Sequence, residues 1–180
     1  MKSIVVLVGS LRKDSINGKY AHALGKLAAG QFAFQYIDMD LPLYNEDLWQ
    51  SPPAKVVALK EAIANADGIL IVSPEYNRSL PAVTKNAIDW ASRPFGQNAW
   101  KGKAVAITGA SPGAQGTAAM QSQLRSSLVI LGTAVMGDPE VYISFKPELI
   151  DADGAIANEG TAKFLKGFLD NFDAWIDRVK

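Results

Sequence analysis

Cysteine is absent from the chain and histidine occurs once, as His22. That removes disulfides, thiol nucleophiles, iron–sulfur clusters and thiolate zinc sites together, and leaves too few imidazoles for a metal-catalytic centre. No sign of charge predominates either: 18 Lys and Arg stand against 18 Asp and Glu. A balanced chain has no broad field with which to hold a nucleic-acid backbone or an anionic membrane surface. Long apolar runs are missing too. The first of them, Ile4–Val8, is too short for a signal-peptide core or a membrane span, so a cytoplasmic protein is expected.

What remains is 180 residues of which 48% are hydrophobic, enough for one continuous core, and one domain over residues 1–180 is expected. Short β-branched runs at Ile4–Val8, Ala33–Ile37, Gly68–Val72 and Ala104–Thr108, with a broken run over Ala134–Ile143, read as buried strands ending in turns. Between them, Asn17–Ala29, Ala54–Ala66, Pro81–Ser92 and Thr117–Leu131 have helical spacing. Thr161–Val179 has it most clearly, with Phe164, Leu165, Phe168, Leu169, Phe172, Trp175, Ile176 and Val179 at three- and four-residue steps. Regular alternation of strand and helix predicts right-handed βαβ units, and so a doubly wound five-stranded parallel sheet with helices on both faces. Ligands of such α/β folds sit beyond the carboxyl ends of the strands, at the switch point of strand order. The loops after strands one, three and four are therefore the places to look.

The first of these loops, Gly9 to Gly18, is rich in hydroxyls and opens a helix. A helix N-terminus offers free N–H groups and the positive end of a dipole, to which Ser10, Ser15 and Asn17 add side-chain donors and Arg12 a planar cation. Neither a Walker G-x-x-x-x-G-K-[ST] loop nor a Rossmann G-x-G-x-x-G is present there. The competing reading is that Asp14 or Ser15 simply caps the helix while Arg12 and Lys13 are solvated. After strand three, Ser73 to Pro81 supplies an aromatic ring, an amide and free backbone donors, the mixture a flat heteroaromatic ligand needs. Taken singly, Tyr76 reads as a packing tyrosine and Asn77 as a turn residue of positive φ. After strand four, Gly109, Gly113 and Gly116 permit tight turns and close approach of backbone to ligand. Val83, Ile88 and Trp90 fall on more than one side of their helix, with Phe95 and Trp100 beyond it. That surplus suggests self-association, with intramolecular packing as the alternative.

Read together, G-S-L-R-x-x-S-x-N at Gly9–Asn17, L-P-L-Y-N-x-D at Leu41–Asp47, P-E-Y-N-x-S-x-P at Pro74–Pro81 and the glycine-rich Ser111–Gly116 loop resemble the NAD(P)H-dependent FMN reductases of flavodoxin-like fold. That family includes bacterial quinone reductases and the enzymes called chromate reductases. The resemblance implies a non-covalent FMN whose phosphate is held by Ser10, Arg12, Ser15 and Asn17, with Ile16 also among the cofactor-binding residues. It implies that Pro74, Glu75, Tyr76 and Asn77 line the isoalloxazine and that Ser111, Pro112 and Gly113 approach its other edge. Leu41–Asp47 is expected to border the substrate opening, without a chemical role. NAD(P)H would be the co-substrate and quinones, azo or nitro compounds, flavin or metal oxyanions such as chromate the acceptors, by a ping-pong mechanism. A homodimer or homotetramer is expected, with no nucleic-acid or membrane partner. Two rival readings stand beside it. An electron-carrier flavodoxin usually carries an acidic docking face that a balanced chain lacks; a regulatory nucleotide-binding domain would have no redox role.

Overall fold

The computed structural model describes every residue from Met1 to Lys180. Strands β1 (Lys2–Val8), β2 (Phe32–Tyr36), β3 (Gly68–Val72), β4 (Ala104–Ser111), β5 (Ala134–Val135) and β6 (Val141–Ser144) alternate with helices α1 (Ile16–Leu27), α2 (Ala54–Asn65), α3 (Ala82–Ser92), α4 (Ala118–Val129) and α5 (Glu159–Val179). The sheet order is β2-β1-β3-β4-β5, every pairing is parallel, and β6 also lies against β4.

The sheet thus has the doubly wound form expected from the alternation, with one correction. The fifth strand is two strands: β5 pairs with Ala104 and Val105, β6 with Thr108–Ser111, and Gly137-Asp138-Pro139 separates them. Proline has no N–H to give the ladder, so pairing lapses there and resumes beyond it.

All five residues of β3 are buried, which explains its unbroken Gly-Ile-Leu-Ile-Val run. Ile69 and Ile71 face one core with Val5, Leu7, Val105 and Ile107, covered by α2, α3 and α4. Leu70 and Val72 face the other with Ile4, Val6, Ala104 and Ala106, covered by α1 and α5. The period-two geometry of the strands assigns alternate residues to the two cores. Helix α5 buries Leu165, Phe168, Leu169, Phe172 and Ile176, while Phe164 of the predicted stripe stays exposed. It begins two residues earlier than its pattern suggests, because the Asn158 Oδ1 accepts the Thr161 N–H at 2.9 Å and caps the first turn. Trp90 and Trp100, counted above as surplus aromatic surface, are fully buried within the chain, and Ile88 is 3% exposed. Of that group Phe95 alone stands out, 95% exposed. No helix is long and apolar enough to cross a membrane.

Candidate functional site

The carboxyl ends of β1, β3 and β4 meet at one edge, and two glycines let them close up. A Cβ on Gly109 would lie 2.0 Å from the Ser73 carbonyl oxygen, and one on Gly9 would lie 2.3 Å from Ser73 Oγ and 2.4 Å from Thr84 Oγ1. With side chains there the three loops could not converge. Converged, they enclose a cavity of about 210 Å³. Ser10, Arg12, Ser15, Ile16 and Asn17 form one wall, and Pro74, Glu75 and Tyr76 with Ser111 and Pro112 form the others. Gly113 lines an adjoining cavity of about 240 Å³ that shares Glu75 and Ser111 with the first. Asn77 lines neither: it sits in a tight turn at φ +51°, as the turn reading expected. Ala110 lines the main cavity and was not anticipated.

Ser15 does cap α1: its Oγ accepts the Gly18 N–H at 3.2 Å and its carbonyl the Lys19 N–H at 3.0 Å. The Ile16 and Asn17 N–H groups have no protein acceptor and face the cavity wall, while the first turn of α1 carries no acidic residue. Helix α4 also starts at this edge but is already neutralised. Glu75 Oε2 accepts the Met120 N–H at 3.0 Å, with the Glu75 side chain 9% exposed. Of these two helix ends, that of α1 stays un-neutralised beside the cavity. Arg12 stands exposed beside it, its N–H bound to Ser10 Oγ at 3.3 Å.

The structure gives Asn17 a different task from phosphate binding. Its Oδ1 accepts the Ala110 N–H at 2.8 Å and its Nδ2 donates to the Ala110 carbonyl at 2.9 Å. The Thr108 carbonyl is taken by the Ser73 N–H, so alternate residues of β4 face β3; at Ala110, where β3 has turned away through Pro74, the Asn17 amide replaces the missing peptide. Its backbone N–H, not its side chain, is what α1 offers the cavity. A buried hydroxyl relay supports the same region: Tyr20 Oη meets Thr108 Oγ1 at 3.0 Å, and burial pushes the Tyr20 phenol far above its ordinary value, partly opposed by that bond.

The loop after β3 is a two-residue hairpin. Tyr76 and Ser79 exchange both backbone hydrogen bonds, at 3.1 and 2.9 Å, around Asn77 and Arg78 at φ +51° and +63°. This consumes the Tyr76 N–H, leaving those of Glu75 and Asn77 without a protein acceptor. Exposed Tyr76 and Pro112 and buried Pro74 supply apolar walls. The donor set at α1 therefore fits a phosphate, and the hairpin with the Ser111 loop fits the polar edge and flat faces of a flavin ring.

The profile of the NADPH-dependent FMN reductase family matches residues 2–148. The chain belongs to that family. A 2-hydroxy-1,4-benzoquinone reductase of Burkholderia sp is 51% identical over 174 residues, covering 96% of this chain and 95% of that one. The flavoenzyme NAD(P)H:(acceptor) oxidoreductase FerB from Paracoccus denitrificans superposes with a TM-score of 0.96 at 50% identity, covering 99% of this chain and 98% of the other. A WrbA-like flavodoxin from Agrobacterium tumefaciens, at 17% identity and a TM-score of 0.60 over the full length of both chains, shows the fold alone. The fold is flavodoxin-like, as the motifs implied.

In this family member the Leu41–Asp47 motif is a strap held by α3. Asn86 Oδ1 accepts the Tyr44 N–H at 2.8 Å, while Asn86 Nδ2 and Trp90 Nε1 donate to the Pro42 carbonyl at 2.9 and 2.7 Å. Tyr44 and Trp49 pack edge-on against the Trp90 ring. Asn86 and Trp90 were missed as a pair in the sequence, although their spacing of four places them on one helix face. The cavity beyond Ser10 is bounded by Asp38 and Asp40, just before the strap, and Lys55 pairs with Asp38 at 2.8 Å.

Proposed function

We propose that this reductase binds FMN non-covalently in the groove and passes electrons from NAD(P)H to a quinone. The observation that carries the reading is the open N-terminus of α1, un-neutralised and flanked by Ser10 and Arg12, in one cavity with the Pro74–Tyr76 and Ser111–Pro112 walls. In this reading Ile16 and Asn17 donate their N–H groups to the phosphate, Ser10 and Arg12 add a hydroxyl and a charge, and Ser15 holds the turn. Glu75, whose amide N–H has no protein acceptor, offers it to the pyrimidine edge, and Gly113 leaves the ring's far side uncrowded. Bound there, FMN supplies hydride acceptance at N5 and electron delivery singly or in pairs.

The overall conversion is NAD(P)H, a proton and a quinone to NAD(P)+ and a hydroquinone. Donor and acceptor use one open face in turn, so the mechanism is ping-pong and the protein's work is placement to about 3–3.5 Å and exclusion of side reactions. The Burkholderia relative is named for a hydroxyquinone, and we extend that class to this chain. Azo and nitro compounds, free flavin and chromate are further acceptors, since an accessible reduced ring discriminates weakly among small oxidants. Nicotinamide cofactors reside in the cytoplasm, where we place the enzyme, as a homodimer or homotetramer in which Phe95 is covered; light scattering tests the assembly. The decisive experiment is anaerobic titration of FMN-loaded protein. NADPH or NADH alone should bleach the flavin and a quinone restore it, and FMN should bind about a hundredfold more tightly than riboflavin. A flavin that stays oxidised until a second reductase protein is added makes the chain an electron carrier instead.

A further inference from the structure

We propose that Arg78 is a specificity-determining residue of this site, reading the ionised hydroxyl of a hydroxyquinone acceptor; the assignment rests on the reductase reading above. Position 78 is one of the open places in P-E-Y-N-x-S-x-P, and nothing in the turn asks for arginine. The second central residue of such a hairpin has positive φ, where glycine is at ease, yet Arg78 occupies it at +63°. The conformation is imposed by its surroundings. Tyr76 and Ser79 bond across the turn, Gln123 Nε2 donates to the Arg78 carbonyl at 2.7 Å, and Ser79 Oγ donates to Gln123 Oε1 at 2.6 Å.

The turn delivers a cation to the rim of the groove. Arg78 lines the cavity that adjoins the main one, with its side chain 70% exposed. Nη1 donates to Gln115 Oε1, while Nε and Nη2 have no protein acceptor. Glu75 pairs with it only loosely: its Oε1 stands 3.8 Å from Nη1, an ion-pair distance beyond hydrogen-bond reach, and its other oxygen accepts the Met120 N–H, so the Nε–Nη2 edge of the guanidinium keeps its donors free. The opposite end of the groove carries Asp38 and Asp40 against one Lys55. An anionic acceptor therefore meets free guanidinium donors at the Arg78 end and a net negative charge at the other.

A hydroxyquinone that has lost its hydroxyl proton shares the charge between that oxygen and the conjugated carbonyl across the ring, while its other carbonyl lies directly beside the anionic oxygen. The adjacent pair presents the two-oxygen edge that a guanidinium fork binds and an ammonium fits less well. A neutral quinone has no such edge.

The test is equilibrium binding to oxidised, FMN-loaded protein, followed by the flavin spectrum, using lawsone (a hydroxynaphthoquinone, ionised at neutral pH) and menadione (its neutral methyl counterpart). The absence of cysteine keeps both probes free of thiol addition. The parent should prefer lawsone. Arg78→Gly, which suits the backbone, should lose about tenfold of that preference, and Arg78→Lys should fall between. A preference unchanged within about twofold in Arg78→Gly overturns the proposal. So does an equal loss for both quinones, which would mean a structural role, or a loss confined to NADPH, which would make Arg78 a donor-binding residue. Binding needs no turnover: Arg78-dependent lawsone selectivity in a protein that NAD(P)H never bleaches supports this assignment and refutes the reductase reading alone.

Discussion

Replacing Asn17 with alanine should cost stability rather than merely cofactor affinity. The substitution removes two hydrogen bonds of 2.8 and 2.9 Å and strands the N–H and carbonyl of Ala110, which is 0% exposed, at the end of β4. An unpaired buried peptide N–H or carbonyl costs about 1–3 kcal/mol, so the pair should lose about 2–6 kcal/mol together. For a domain of this size that is a fall in Tm of roughly 4–24 °C. Urea unfolding of the FMN-free protein is the assay, with the midpoint shifting at constant slope. Asn17→Asp should also destabilise, since it keeps an acceptor for the Ala110 N–H but sets a second oxygen against the Ala110 carbonyl. It should weaken FMN binding as well, by placing a negative charge at the anion site. An Asn17→Ala midpoint within about 0.5 kcal/mol of the parent would mean that solvent replaces the amide, and the reasoning would fail.

Arg12→Ala should weaken FMN by about 1.5 kcal/mol by calorimetry, the low end for a charged hydrogen bond because the side chain is exposed; unchanged affinity would leave the phosphate to the helix end and Ser10. Gly109→Ala forces a Cβ to 2.0 Å from backbone and should cost about 3 kcal/mol or more, whereas Gly113→Ala, whose Cβ meets nothing nearer than Ser111 Oγ at 3.8 Å, should be close to neutral in the same unfolding assay. Asp67 is held below its ordinary 3.8 by the Lys180 ammonium and the Ser3 N–H. A lowered carboxyl stabilises the fold above its unfolded value and loses that contribution as pH falls through the folded one. Asp67→Asn should therefore melt earlier than the parent at neutral pH, with the gap closing in acid; a gap that persists there would contradict the assignment.

The alternation of strand and helix, the two-sided sheet, the three loops that meet at its edge and the family are all legible in the amino-acid order, because hydrophobic period, glycine placement and the local chemistry of a helix start are short-range properties. Boundaries moved by a residue or two where a cap decided them, as at Asn158. Pairings between residues far apart in the chain were not legible there. Asn17 reads locally as an anion donor, yet Ala110, 93 positions away, claims its side chain. Glu75 reads as a ring-lining carboxylate, and it lines the cavity, but its second task, accepting the Met120 N–H at the start of α4, lies 45 positions away and is not legible locally. Trp90 and Trp100 read as surface to be covered, and the chain's own strap and core cover them. Each outcome depends on which buried polar group or apolar ring lacks a partner once the sheet has formed, and that is a property of the assembled core which no local pattern encodes.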